Sequence, residues 1–284
     1  MASARDIRRR IRAVKNIEKI TNAMKMVAAA RLKKAQSRAE AARPYAQKIR
    51  EVMANLAASA GDIQHPLLAQ REEQRVAFVI IGAERGLAGS YNANVMNAAL
   101  HAIGDRDPSD VKLVLMGRKA VGFFRRKPYE IVARLESPSG EVLFGDVRRV
   151  TAQVRNMFEH AEVDAVYLVY ARFITAMRQQ PTVVKLLPMV RPSAEEVAPP
   201  EFEFEPSARE LLGVLLPRYI DTQVYQALVE AQASEQGARM TAMSAATQNA
   251  GEMIETLTLA YNKARQAAIT KEITEIVTSA EAQK

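Results

Sequence analysis

From Arg218 to the C-terminus the chain contains no proline, and from the other end the first proline is Pro44. Both stretches are rich in good helix formers, and at about 1.5 Å per residue Arg218 to Ala280 would reach roughly 95 Å and Ser3 to Ser59 roughly 85 Å. Helices of that length do not belong inside an ordinary globular domain. Within the second stretch Ala250, Ile254, Leu257, Tyr261, Ala264 and Ala268 step alternately by four and three, the spacing of a coiled-coil seam. Ile269, Ile273, Ile276 and Ala280 follow displaced by one residue, so the last turns present a different face. A lone helix of either kind is poorly supported in water. The two are expected to wrap each other, which terminal helices flanking one domain can do only by running antiparallel. Ser3 is the expected N-cap, Pro44 is expected to kink or break the first helix near Arg43, and Pro217 marks a boundary or kink in the second.

The first helix is apolar on too many sides for one partner. Ile7, Ile11, Val14, Ile17, Ile20, Met24 and Val27 advance by about 3.3 residues per step, shorter than a heptad seam, so the stripe winds around the helix. In the stretch ITNAMKMVAAARLKK, residues 20–34, methionine, valine and alanine cover most of the circumference and Lys or Arg fills the gaps. A partner helix can cover one side, and something else must approach the others.

Charge is concentrated at the same end. Residues 1–38 carry twelve Lys or Arg against Asp6 and Glu18, residues 207–284 carry seven against nine acids, and the whole 284-residue chain has a net charge of +8. The excess implies an acidic partner: nucleic acid, anionic lipid or an acidic protein surface. No run is long and apolar enough for a membrane span, and the N-terminus lacks the apolar segment of a secretory signal. It is Arg-rich and acid-poor like a mitochondrial transit peptide, but the pattern runs on into a far longer helix. With no cysteine, disulfides, thiol chemistry and Cys-ligated zinc are excluded.

The middle is built differently. Val76–Ile81, Val111–Met116 and Ala165–Ala171 read as strands, with helices expected at Asn92–Ile103, Arg118–Arg125 and Asp146–Ala161. Such alternation predicts a parallel, doubly wound sheet, to which Thr182–Leu187 could add an edge strand. Met189–Pro206, rich in proline and acid, is a connector. The expected division is a coiled-coil helix over 1–59, an α/β domain with connector over 74–206 and a second coiled-coil helix over 207–284.

Few residues offer chemistry. Gly82, Gly86 and Gly89 follow the first strand, where a phosphate would sit, but their spacing is neither GxGxxG nor a P-loop. A tight turn with Ser90 or Asn92 capping the next helix is the expected reading. His65, His101 and His160 lie far apart with no partner at metal-ligand spacing. A basic-zipper reading would put the zipper on the same helix as the basic region, whereas here the coil partner lies at the other end of the chain. A coiled-coil nucleic-acid binder and a Rossmann-like enzyme with a nucleotide at Gly82–Asn92 stand as two possible readings of these features.

The blocks MASARDIRRRIRAVKNIEKITNAMKMVAAARLKKAQ, ERGLAGSYN, ITAMRQQPTVVKLLP, ASEQGARMTAMSAATQNAGEMI and YNKARQAAITKEITEIV together resemble the gamma subunit family of bacterial F-type ATP synthases, over essentially the whole chain. The resemblance implies an antiparallel coiled coil with a central Rossmann-like α/β domain, acting as the central stalk of a rotary motor. The shaft would sit inside the ring of alpha and beta subunits, with its α/β domain on the membrane rotor ring (the c-ring) beside epsilon. It would couple proton- or sodium-driven rotation to ATP synthesis in the beta subunits and regulate ATPase activity and ion flow. It would have no catalytic site, cofactor or nucleic acid of its own, and would be peripheral to the cytoplasmic face of the cell membrane.

The resemblance also implies site residues. Met24 and Lys25 would face an acidic loop of the catalytic subunits, Asn262, Arg265 and Gln266 would make polar contacts to the ring, and Ile273, Ile276 and Val277 would turn in an apolar bearing. Lys33, Lys34, Arg38, Phe202, Phe204 and Glu205 would contact the rotor ring. Phe202 and Phe204 stand where many relatives have tyrosine, and Ala88 where some have cysteine. The cysteine pair of the light-regulated chloroplast form is absent.

Overall fold

The structure is a computed structural model that describes residues 4–59, 65–138, 140–189, 205 and 208–281. Two very long helices, α1 (Ala4–Ser59) and α5 (Ala208–Glu281), flank an α/β region. That region runs β1 (Val76–Ile81), α2 (Tyr91–Ile103), β2 (Val111–Met116), α3 (Arg118–Phe124), β3 (Glu130–Leu135), α4 (Phe144–Glu159), β4 (Ala165–Phe173) and β5 (Gln179–Leu187). By packing the chain forms two units, one of residues 1–28 with 240–284 and one of residues 29–239, so the division falls inside both long helices.

The first unit is an antiparallel two-helix coil. The Thr21 and Thr247 hydroxyls are hydrogen-bonded across it at 2.8 Å, and Arg5, Arg8, Arg9 and Arg12 of α1 share a hollow with Tyr261 of α5. On α5 the covered positions include Met243, Thr247, Ala250, Ile254, Leu257, Tyr261 and Ala264, a regular heptad seam that contains most of the expected set. Ala268 is exposed, because the coil ends one step earlier than the sequence spacing suggested. On α1 the covered positions are Ile7, Ile11, Val14, Glu18, Thr21, Lys25 and Ala28, also at heptad steps, with Met24 half-buried beside them. The winding stripe expected for α1 therefore divides into two faces. Ile17 (52 % exposed), Ile20 (59 %) and Val27 (53 %) lie off the seam, and polar Glu18, Thr21 and Lys25 occupy the seam in their place.

The second unit is a five-stranded sheet of order β3-β2-β1-β4-β5. The first four strands are parallel, and β5 closes one edge antiparallel to β4. β1 is buried at every residue, as a strand covered on both faces must be. One face packs on α4 and the long helices, through Ile49, Met53 and Leu56 of α1 and Leu212, Leu216, Ile220 and Val224 of α5. The other face packs on α2 and α3, through Val95, Met96, Ala99, Ala120 and Phe124.

The sheet places β5 at the edge as expected and adds β3, whose sequence EIVARL was not read as a strand. β3 is an edge strand with half-exposed side chains, so its hydrophobic signal is diluted. Neither proline breaks its helix: α1 runs through Pro44 and α5 through Pro217. An interior proline costs about 3 kcal/mol, whereas each fully buried large apolar side chain contributes about 1.5–3 kcal/mol, and buried residues follow Pro44 and bracket Pro217. The N-cap reading at Ser3 lies outside the described residues, as does nearly all of the expected connector.

Candidate functional site

In doubly wound sheets a ligand sits beyond the carboxyl ends of the strands, where the strand order reverses. Here that point lies between β1, which continues to β2 on one side, and β4 on the other. The loop after β1 holds the glycines the sequence drew attention to, and it is committed to its own chain. Gly82 N–H donates to Met116 O at 2.9 Å, and Ala83 N–H donates to Asn92 Oδ1 at 3.0 Å. Glu84 accepts from Arg118 Nε at 2.6 Å and from the backbone N–H groups of Arg118 and Ser137. Asn92 therefore spans the loop and does not cap α2. Ser90, at the N-cap position, makes no side-chain capping bond either, and its Oγ accepts from Asn94 Nδ2.

The remaining space is taken by one stretch of α5, Gln232 to Arg239. Ser234, fully buried, donates to Ala171 O at the end of β4 (2.8 Å), and Tyr91 donates to Ala231 O (3.3 Å). Gln232 Nε2 donates to Pro138 O (3.2 Å) and to Gly140 O in the loop after β3. Gly237 lies so close to the β4–β5 hairpin that a Cβ would come within 3.1 Å of Ala176 O. Arg239, 8 % exposed, reaches the β1 loop: its Nη2 lies 2.6 Å from Glu235 Oε1, 3.2 Å from Gly86 O and 3.5 Å from Arg85 O. Burial pushes the Glu235 carboxyl above its usual range, and the Arg239 charge opposes that. Burial likewise raises the Tyr91 hydroxyl, which keeps it a donor. The loops after β1, β3 and β4 thus hold α5 from several directions.

The residues named from the sequence lie elsewhere. Met24 and Lys25 are half-buried in the coil. Asn262, Arg265, Gln266, Ile273, Ile276 and Val277 are all exposed. From Arg265 to Ser279 every residue of α5 is exposed, so this helical end is bare on all sides. Lys33 and Lys34 are exposed, whereas Arg38 is half-buried and pairs with Glu141 at 3.2 Å. Glu205 is exposed, and Phe202 and Phe204 lie outside the described residues. The sequence reading missed the collar residues Glu84, Tyr91, Ser234, Glu235 and Arg239. Their one local signal was the i, i+4 spacing of Glu235 and Arg239. Among the described residues no acid and histidine cluster could hold a metal, and no helix is long and apolar enough to cross a membrane.

The doubly wound unit gives its ligand crevice to one of its own long helices, and the other unit is a two-helix coil. Comparison with known proteins narrows the class. The family model described as ATP synthase matches residues 3–283. The chain is 50 % identical over 282 residues to the ATP synthase gamma chain of Desulfitobacterium hafniense, covering 99 % of each chain. Among solved structures it resembles a chain in the central stalk and c-ring of Tetrahymena thermophila mitochondrial ATP synthase (27 % identity, TM-score 0.60, 80 % of this chain and 99 % of that one). A chain in the OSCP/F1/c-ring structure of the Euglena gracilis enzyme shares the fold at 18 % identity, with TM-score 0.70 over 99 % of this chain and 94 % of that one. The chain belongs to the ATP synthase gamma-chain family.

Proposed function

We propose that the chain is a non-catalytic shaft that turns inside the alpha and beta subunits of F1 and stands, beside epsilon, on the c-ring. Proton or sodium flow through the ring would drive its rotation, and it would lie peripheral to the cytoplasmic face of a bacterial cell membrane. The observation that carries this reading is the bare end of α5. Ile269, Ile273, Ile276 and Val277 are each 47–67 % exposed on a helix that has lost its coil partner after Ala264. A bare helix end of this length that exposes four large apolar side chains is poorly supported in water and calls for a surrounding sleeve. The off-seam residues Ile17, Ile20, Met26 and Val27 supply a second bare apolar face on α1.

Such faces suit shallow, changing contact, which methionine and alanine serve well. An asymmetric shaft touches otherwise identical subunits differently, and differential contact is what shifts a partner between states. In this reading Met24 and Lys25, with the arginines from Arg5 to Arg12, meet acidic surfaces of the ring, and Asn262, Arg265 and Gln266 make its polar contacts. Lys33, Lys34, Phe202, Phe204 and Glu205 serve the contact with the rotor ring. Arg38 contributes less free charge there, being paired within the chain. Regulation of ATPase activity and ion flow would follow from how tightly these contacts hold the shaft.

Reconstitution tests the reading. The purified chain is expected to show no ATPase activity alone and to co-purify in a stable complex with alpha, beta and epsilon subunits. Failure to co-assemble would overturn it. DNA binding with a steep salt dependence would favour the nucleic-acid alternative, and calorimetric binding of ATP or NAD to the isolated chain would favour the enzyme.

A further inference from the structure

We propose that the collar around Gln232–Arg239 is the attachment through which torque passes between the α/β unit and α5, with Arg239 as the positioning residue that stops the helix from slipping. This rests on the rotor reading above and names the residues that bear its load. Apolar burial by itself is not directional. Hydrogen bonds and charge-assisted bonds are directional, so they resist rotation.

The structure concentrates such bonds on two turns of α5. Gln232 bonds the loop after β3, Ser234 the end of β4, and Arg239 the loop after β1. These elements approach α5 from different sequence-distant parts of the unit, so the helix cannot rotate without breaking several bonds together. Gly237 removes the side chain that would hold the β4–β5 hairpin off. The Arg239 guanidinium bonds Glu235 on its own helix and two carbonyls on the β1 loop at once. That loop is in turn braced to α3 and to the loop after β3 by Glu84. Arg31 and Glu84 are the other charges that act on Glu235. Arg239 is also the last residue of the second unit before α5 enters the coil.

The test uses the assembled ATP synthase in inverted membrane vesicles, measuring ATP-driven proton pumping per ATP hydrolysed. Three variants are compared with the parent: Arg239→Gln, Arg239→Lys, and the exchange Glu235→Arg with Arg239→Glu. Subunit stoichiometry on native gels establishes assembly in each case. Arg239→Gln is expected to lower the pumping-to-hydrolysis ratio several-fold. Arg239→Lys keeps the charge but loses the planar fork, and is expected to fall between. The exchange restores an i, i+4 ion pair but places a carboxylate against the Gly86 and Arg85 carbonyls, so it is expected not to rescue coupling. Rescue by the exchange would show that Arg239 serves only helix stability and would overturn the proposal. So would a parental ratio in Arg239→Gln. If Arg239→Gln does not assemble, the lysine variant decides by the same ratio. A parent chain that neither assembles nor couples in these vesicles would instead remove the rotor reading on which the proposal stands.

Discussion

Gly117 joins β2 to α3 with φ +83°, a region that L side chains rarely adopt, and a Cβ built there would lie 2.5 Å from Gly82 O and 2.9 Å from Ala83 O. Gly117→Ala therefore meets two separate penalties. The left-handed conformation costs an alanine about 1–2 kcal/mol. The clash is with backbone, which can give way only by moving the end of β1, and that threatens the bonds from Gly117 N–H to Leu135 O (2.9 Å), Gly82 N–H to Met116 O (2.9 Å) and Lys119 N–H to Ala83 O (3.1 Å). Losing one buried backbone bond adds about 1–3 kcal/mol. The sum is roughly 2–5 kcal/mol, a large part of the stability of an ordinary domain. Gly122→Ala is the control on the same helix: nothing lies within 4 Å of its would-be Cβ, and alanine there should stabilise by about 0.5–1 kcal/mol. Urea denaturation followed by tyrosine fluorescence suits a chain with eight tyrosines and no tryptophan. At a slope of about 2–3 kcal/mol per molar urea, the Gly117→Ala midpoint should fall by about 1–2 M. A fall worth less than about 1 kcal/mol would refute the inference that the loop after β1 is rigidly seated.

Other perturbations probe other parts. The Thr21–Thr247 hydroxyl bond should give a double-mutant-cycle coupling of about 0.5–1.5 kcal/mol with valine at each position, and zero coupling would mean that the bond does not hold the register of the coil. The Glu73 carboxyl is held below its usual range by the hydrogen bond from Lys185 at 2.7 Å, against burial and with help from Tyr167, whose own hydroxyl burial and Glu73 push up to about 12. A depressed carboxyl stabilises above its unfolded value and loses that contribution as pH falls through the folded one. The advantage of the parent over Glu73→Gln should therefore shrink as pH drops from about 6 to about 3, and a constant gap in urea midpoint would contradict it. Met24→Lys should leave the coil folded, since lysine is a good helix former, but in the proposed rotor reading it should impair coupling by adding a charge where Met24 would meet an acidic surface. Unchanged coupling of hydrolysis to proton pumping in that variant would count against the contact.

The two terminal helices, the heptad seam of α5 and three of the five strands are plain in the sequence. They depend on local propensity and on the spacing of apolar residues, both carried by the chain itself. The edge strand β3 is not plain, because an edge strand shares its burial with solvent and its pattern weakens. The continuity of α1 and α5 through Pro44 and Pro217 is also invisible locally, since it depends on burial against a sheet formed far away in sequence. On α1 the spacing of Ile17, Ile20 and Val27 merged two faces that only the partner helix separates, leaving Glu18, Thr21 and Lys25 in the seam. The collar lies furthest from sequence reach. Arg239 meets Gly86 across more than 150 positions, and Ser234 meets Ala171 across 63. The sequence by itself determined that two long helices would pair around an α/β unit, because helix length and periodicity are local properties. Only the tertiary structure decided that α5 fills the crevice where such folds bind ligands, because that depends on which loops the sheet order brings together.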